Sequence, residues 1–375
     1  MVDNHTKLRK YAYFGKNSIE MVVEKDIVAI SIPFSAGVVT AACVPPGCDA
    51  LWAVAAGSCL AAAGSLCLLA GRGGRTGAAL ALFYCLGVFS CASRAAAGPL
   101  PERTWPAAQR ALDALLRAID GAGFAHDSTA ALLKALLAGR REGLDRTSAE
   151  AFRAAGASHI LALSGLHLGI LCGILQRGLA WLGRSRPARL LRSAAAIAFS
   201  GFYLIMTGAS PSLVRAFLYI LLGELARLLP GRRRRPMNIF CAALTLQLVL
   251  SPAVVHSLGF QLSYLAMLGI HLLFPRLDAW YPQSGRADPL RRIWSATALT
   301  VCCQIFTAPL VWLRFRSFPK YFLLTNLGAL PLTEALILCA LPAVLWPGCP
   351  QGIKNLADGI GQILLSFLGT VATIP

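Results

Sequence analysis

Long apolar runs alternate with short polar punctuation along this chain, and the runs have the length that one membrane crossing needs. A helix rising 1.5 Å per residue covers the ~30 Å hydrocarbon layer in roughly 20 residues. Such runs lie near 27–44, 50–71, 76–94, 156–178, 193–212, 213–230, 236–253, 254–275, 293–313, 321–346 and 356–374. The first is short and carries Pro33, the sixth carries Glu224 and Arg227, and the last is weak, so the pattern predicts about 10–12 transmembrane helices. Because lipid leaves no backbone group a water partner, the expected fold is all-α, a polytopic integral membrane helix bundle.

Composition strengthens that reading. Charged side chains are 14% of 375 residues, against about 25% in soluble domains, and the mean hydropathy is +0.62; a soluble globule is excluded. The net charge of +18, from 35 basic and 17 acidic residues, would suggest nucleic acid in a soluble protein, but here the positive-inside rule comes first. Loops 72–75, 177–192 and 227–235 are basic and free of acids, and 276–292 sets four arginines against two aspartates. Alternating spans place all four on one face, read as cytoplasmic, together with the polar tail 1–26, which lacks the design of a signal peptide. The 12 cysteines sit mostly inside apolar runs with no C-x-x-C pair and read as packing residues.

Four regions follow: the tail 1–26, N-terminal membrane helices 27–97, a segment 98–153 on the outer face, and a membrane domain 154–375. The segment is nearly balanced in charge. Leu112, Leu115, Leu116 and Ile119, then Leu132, Leu133, Leu136 and Leu137, recur at helical spacing and predict two amphipathic helices.

The densest chemistry lies in the run from Ala157 to Gly169, ASHILALSGLHLG. On one continuous helix His167 and Ser164 fall about 80° and 140° from His159, while Gly165, Gly169 and Gly173 occupy the far side. The polar face must meet water or partners, since imidazoles in lipid are costly. Two overlapping G-x-x-x-G steps make the other side a helix-packing seam.

This run resembles the signature of the ComEC-type competence proteins, the DNA-internalisation channels of bacterial natural transformation. Tyr203-x3-Thr-Gly-x2-Pro211-x3-Arg215-Ala, Gly259-Phe-Gln-Leu-Ser-Tyr-Leu-Ala-Met-Leu-Gly269, and Ala308-Pro-Leu followed by Leu324-Thr-Asn-Leu and Pro331-Leu resemble three further elements of that family, in order. The resemblance covers roughly 130–345. It implies an inner-membrane channel that passes single-stranded DNA into the cytoplasm, with the N-terminus cytoplasmic. Its implied partners are the lipid bilayer and the DNA-receptor and cytoplasmic motor proteins of the competence machinery. A separately encoded nuclease and a homo-oligomer stay open. Two departures matter: 98–153 is too short for the family's outer-face OB-type domain, and no H-x-H-x-D-H cluster of a C-terminal metallo-β-lactamase-like nuclease domain is present. The six histidines are scattered. The expectation is the channel part alone, with no enzymatic chemistry, no metal and no cofactor.

A wet path for a phosphate chain calls for Arg, His, Asn, Gln and Ser on facing helices. Candidates are His159, Ser164 and His167; Arg215 after the break at Pro211; Gln261, Ser263 and His271; and Asn326 with Thr325, with Glu334 eight residues further on the same side. Each is equally open to simple helix-to-helix hydrogen bonding. Glu224 and Arg227 are spaced for an i,i+3 ion pair, and Glu334 is either a cation or proton site or the partner of Arg215 or Arg314. Arg314, Arg316 and Lys320 fall on the outer face, where orientation does not require them, and read as a DNA-attracting mouth. Two rivals remain: a secondary solute transporter with its broken helix at Gly208-Ala-Ser-Pro211, and an intramembrane serine protease pairing Ser164 or Ser210 with His256 or His271.

Overall fold

The computed structural model describes residues 27–44, 57, 64, 75–96, 105–183, 185–228, 236–281, 288–316 and 319–374. These form fourteen α-helices and two 3₁₀ turns, and no strand occurs among them. In chain order the helices are α1 Ile27–Ala42, α2 Arg75–Ala96, α3 Pro106–Gly121, α4 Asp127–Ala138, α5 Arg146–Ala154, α6 Ser158–Leu161 and α7 Gly165–Gly178. They continue with α8 Arg186–Met206, α9 Pro211–Leu228, α10 Pro236–Leu250, α11 Leu258–Asp278, α12 Pro289–Phe315, α13 Phe322–Leu345 and α14 Gln351–Thr373.

Six helical stretches are long and apolar enough to cross a membrane: Gly165–Leu182, which continues α7 through a 3₁₀ turn, then α8, α11, α12, α13 and α14. Three shorter apolar helices, Ile27–Ala42, Ala79–Ala95 and Pro236–Leu250, add to them. The expected span 50–71, apart from Gly57 and Gly64, and Arg232 to Arg235 lie outside the described residues.

The chain forms two compact units. The first comprises residues 1–101 and 225–261, and in it α1 and α2 cross backbone to backbone. A Cβ on Gly37 would lie 2.0 Å from the Tyr84 carbonyl oxygen, and one on Gly87 would lie 2.1 Å from that of Phe34. Only glycines permit this reciprocal contact, which in lipid supplies the packing that a hydrophobic drive supplies in water. Ser31 fastens α1 to α10: its hydroxyl donates to the Cys241 carbonyl at 3.3 Å and accepts from Thr245 Oγ1 at 2.9 Å.

The second unit comprises 102–224 and 262–375. Its core joins Ile119, Leu132, Leu133, Leu136 and Phe152 to Leu336, Ile337, Leu364 and Leu368 of α13 and α14. The region expected as two amphipathic outer-face helices therefore holds three helices whose apolar sides are core. In α4, Ala131, Ala135 and Ala138 flank the leucine pairs and are buried with them, while Lys134 pairs with Asp120 at 2.5 Å. Asp358 of α14 closes this arrangement: its carboxylate accepts from the backbone N–H of Ala125 at 2.5 Å and of His126 at 3.3 Å. Gln362 donates to Ser128 Oγ at 2.9 Å. Asp358→Ala removes two charge-assisted hydrogen bonds and is expected to cost about 2 kcal/mol, read as a lower thermal midpoint of the purified protein; an unchanged midpoint contradicts the latch.

One expected span needs correction. The run 156–178 is not one helix, because Ala162 and Ser164 are extended and separate α6 from α7. Ser164 caps α7 and the His167 side chain folds back onto it, a trade of local side-chain bonds for helical continuity that serine favours. The single-helix angles between His159, Ser164 and His167 therefore do not apply. The anticipated break before Pro211 is present: Gly208 and Ala209 both take left-handed backbone, with φ of 84° and 51°.

Candidate nucleic-acid path: a polar seam around Arg215

The seam starts at the break before α7. Ser164 N–H donates to His167 Nδ1 at 3.4 Å, and Ser164 Oγ lies 3.5 Å from the same nitrogen. His159, on the separate α6, has its Nδ1 3.2 Å from the Gly156 carbonyl. His159 is exposed; desolvation by the neighbouring chain lowers its pKa below the ordinary imidazole value, and the Gly156 carbonyl partly offsets the effect. The fixed charge of the seam lies elsewhere.

It lies at Arg215, on the first turns of α9. The guanidinium Nη2 is 3.4 Å from where a Cβ on Gly165 would stand, and Ala216 Cβ is 3.1 Å from that point. The guanidinium carbon also lies over the Tyr264 ring, 6.0 Å from its centroid, at the outer range of a cation–π contact. One turn along α9, Tyr219 lies parallel to His271 within 8°, ring centroids 6.5 Å apart, with Tyr219 Oη 3.4 Å from His271 Nε2. Among the described residues no carboxylate pairs with Arg215. The second unit thus holds a run of imidazole, guanidinium and phenol groups carried by α7, α9 and α11.

The other expected residues are distributed around this run. Ser263 is half-buried beside Tyr264 on α11. Gln261 belongs to the first unit, donating from Nε2 to the Val255 carbonyl at 2.6 Å while its Oε1 is buried without a partner. Asn326 Oδ1 is likewise buried and unpartnered, next to Thr325, whose hydroxyl donates to the Ala155 carbonyl at 2.8 Å. Glu334 is half-buried, and neither Arg215 nor Arg314 pairs with it. Glu224 is held across helices, accepting from Gln176 Nε2 at 3.0 Å and Ser193 Oγ at 2.8 Å, contacts that its spacing from Arg227 does not disclose. Of the expected glycine seam only Gly165 is tightly packed; a Cβ on Gly169 or Gly173 would meet nothing within 4 Å.

Arg314, Arg316 and Lys320 are exposed. Pro319 packs on Gly156, 2.4 Å from where a Cβ would stand, so the basic turn sits against the turn that carries His159. Tyr219 and Tyr264 were missed by residue type alone. Their signal is spacing: Tyr219 follows Arg215 by four residues and His271 follows Tyr264 by seven, each on one helix face.

These features define a multi-pass helical membrane protein. The chain belongs to the Competence protein family, which it matches over residues 136–375, a stretch containing all four motifs quoted above. It is 26% identical over 246 residues to ComE operon protein 3 of Bacillus subtilis, covering 64% of this chain and 28% of that protein. It is 25% identical over 261 residues to Recombination protein 2 of Haemophilus influenzae, covering 65% of this chain and 32% of that one. The matched region is thus under a third of either relative's length. No solved structure matches the chain.

Proposed function

We propose that this chain is the membrane channel part of a bacterial DNA-uptake system and passes one DNA strand across the inner membrane into the cytoplasm. The observation that carries the reading is Arg215, a guanidinium among membrane helices with no carboxylate partner among the described residues. Such a charge requires water or an anion, and a nucleic-acid strand brings one phosphate per nucleotide. Tyr219 and His271, both half-buried, supply flat faces on which bases of any sequence stack. Membership of the competence family supports the same reading.

In this scheme Arg314, Arg316 and Lys320 form the outer mouth, and the basic loops 72–75, 177–192 and 276–292 face the cytoplasm with the N-terminus. Strand passage breaks no covalent bond, so the seam has to bind weakly and release. A DNA receptor outside and a motor inside are its partners in this scheme. Labelled-DNA entry tests the path: alanine at both His159 and His167, with normal protein levels, is expected to reduce entry by roughly tenfold, about the loss of one or two hydrogen-bonding groups. Full uptake in that variant removes the pair from the path. Parental uptake in cells lacking the chain altogether overturns the function and favours a solute transporter.

A further inference from the structure

We infer that α3 and α4 form a re-entrant hairpin, and that the charged face of α3 is one wall of a water-filled vestibule sunk into the membrane from the side that carries the α12–α13 turn. The vestibule stands whatever passes through it; in the strand-passage reading it is where the strand enters.

Contacts at both ends of the hairpin fix its depth. The Phe367 ring packs directly on Gly328, so α13 and α14 are antiparallel and the end of α14 is level with the start of α13. The open end of the hairpin lies on that same side. Leu163 is 2.6 Å from where a Cβ on Gly139, the cap of α4, would stand, and Gly156, seven residues before Leu163, is packed by Pro319 of the α12–α13 turn. The closed end lies deep. Asp358 holds the N–H groups of Ala125 and His126, and Lys354 Nζ is 3.7 Å from the Cβ position of Gly123. By helical rise Asp358 is about 22 Å from the level at which α13 starts, most of the way through a hydrocarbon layer of ~30 Å. With 16 and 12 residues, neither α3 nor α4 is long enough to cross that layer, and the chain returns to the side it came from.

At that depth α3 keeps a charged side. Ala108, Leu112 and Ile119 are buried, while Gln109, Arg110, Asp113, Arg117 and Asp120 are exposed and fall within about 100° of one another around the helix. Arg110 Nε donates to the Pro106 carbonyl of its own helix at 3.3 Å, and Asp120 takes Lys134 of α4 at 2.5 Å. Asp113 and Arg117 engage no partner among the described residues. Lipid does not solvate such a stripe, so the face requires water. Basic and acidic groups alternate along it, and the wall therefore wets the entrance without holding one sign of ligand. Trp105, 54% exposed and directly before α3, stands at the open end, where a membrane–water interface favours tryptophan.

The test uses the full chain in lipid nanodiscs and a membrane-impermeant, sulfonated maleimide, with the modified position assigned by peptide mass. Asp113→Cys and Arg117→Cys probe the wall. Ile363→Cys and Leu338→Cys, at exposed positions of α14 and α13 within the same depth, report whether lipid surrounds that level. The two wall positions are expected to react about tenfold faster than the two references, since the charged reagent enters water and not hydrocarbon. Fast reaction at all four places the hairpin outside the bilayer and overturns the vestibule. Reaction at 113 and 117 no faster than at 338 and 363 means that lipid, or protein from elsewhere in the chain or a second copy, covers the face, and overturns it equally. The expected labelling in a chain whose deletion leaves DNA uptake at the parental rate upholds the vestibule and overturns strand passage.

Discussion

Cells whose chain carries Arg215→Glu are expected to take up labelled DNA roughly 100-fold more slowly, with the protein still present in the membrane. A guanidinium about 5 Å from a phosphate at an effective dielectric of about 20 contributes about 3 kcal/mol of attraction. At 1.4 kcal/mol per tenfold, its loss alone reaches that factor, and the new carboxylate adds repulsion. The surroundings offer no compensation: Gly165 and the Tyr264 ring lie near the guanidinium, and no described carboxylate would be released by the change. Arg215→Lys separates charge from geometry, keeping the former and losing the planar fork. Uptake within a fewfold of wild type in Arg215→Glu, at equal membrane levels, removes Arg215 from the path.

The second large effect is on folding. Gly37→Leu is expected to lower stability by about 3 kcal/mol or more, at the upper end of overpacking costs. The added Cβ would stand 2.0 Å from the Tyr84 carbonyl oxygen, where even a weak C–H···O contact needs about 3.3 Å. The obstructing atom is backbone, so no rotamer relieves it and α1 and α2 must separate. Gly87→Leu meets the Phe34 carbonyl in the same way and is expected to cost a similar amount. Gly169→Leu, in open space, is the matched control and is expected to be near neutral. Thermal unfolding of the three purified variants decides; a Gly37→Leu midpoint equal to that of Gly169→Leu contradicts the crossing.

The membrane helices were legible because a run of some twenty apolar residues has few other uses: α13 and α14 begin and end close to where hydropathy put them. The break before α7 was not, because Ser164 inside such a run reads equally as a polar helical position or as a cap. Its one local sign is His167 three residues on, standing where a capping box places Glu or Gln. His159, Ser164, His167 and Arg215 could be nominated by residue type within motifs, and His271 by type just beyond one. Tyr264 could not, since it earns its place through Arg215, 49 residues earlier in the chain. Glycines misled in both directions: the regular spacing of Gly165, Gly169 and Gly173 suggested a seam that packs at only one of them. The decisive pair, Gly37 and Gly87, is related by no local period.

Asp358 binds the amides of Ala125 and His126 across 233 and 232 residues of sequence. A ribosome adding ~5–20 residues per second needs roughly 10–50 s to cover that interval. Throughout it, Leu132, Leu133, Leu136 and Leu137, sealed to 2% exposure or less in the finished unit, await the helix that carries the carboxylate. Assembly of the second unit therefore waits on α14, and the early leucines need temporary cover from the insertion machinery or the bilayer surface until it arrives.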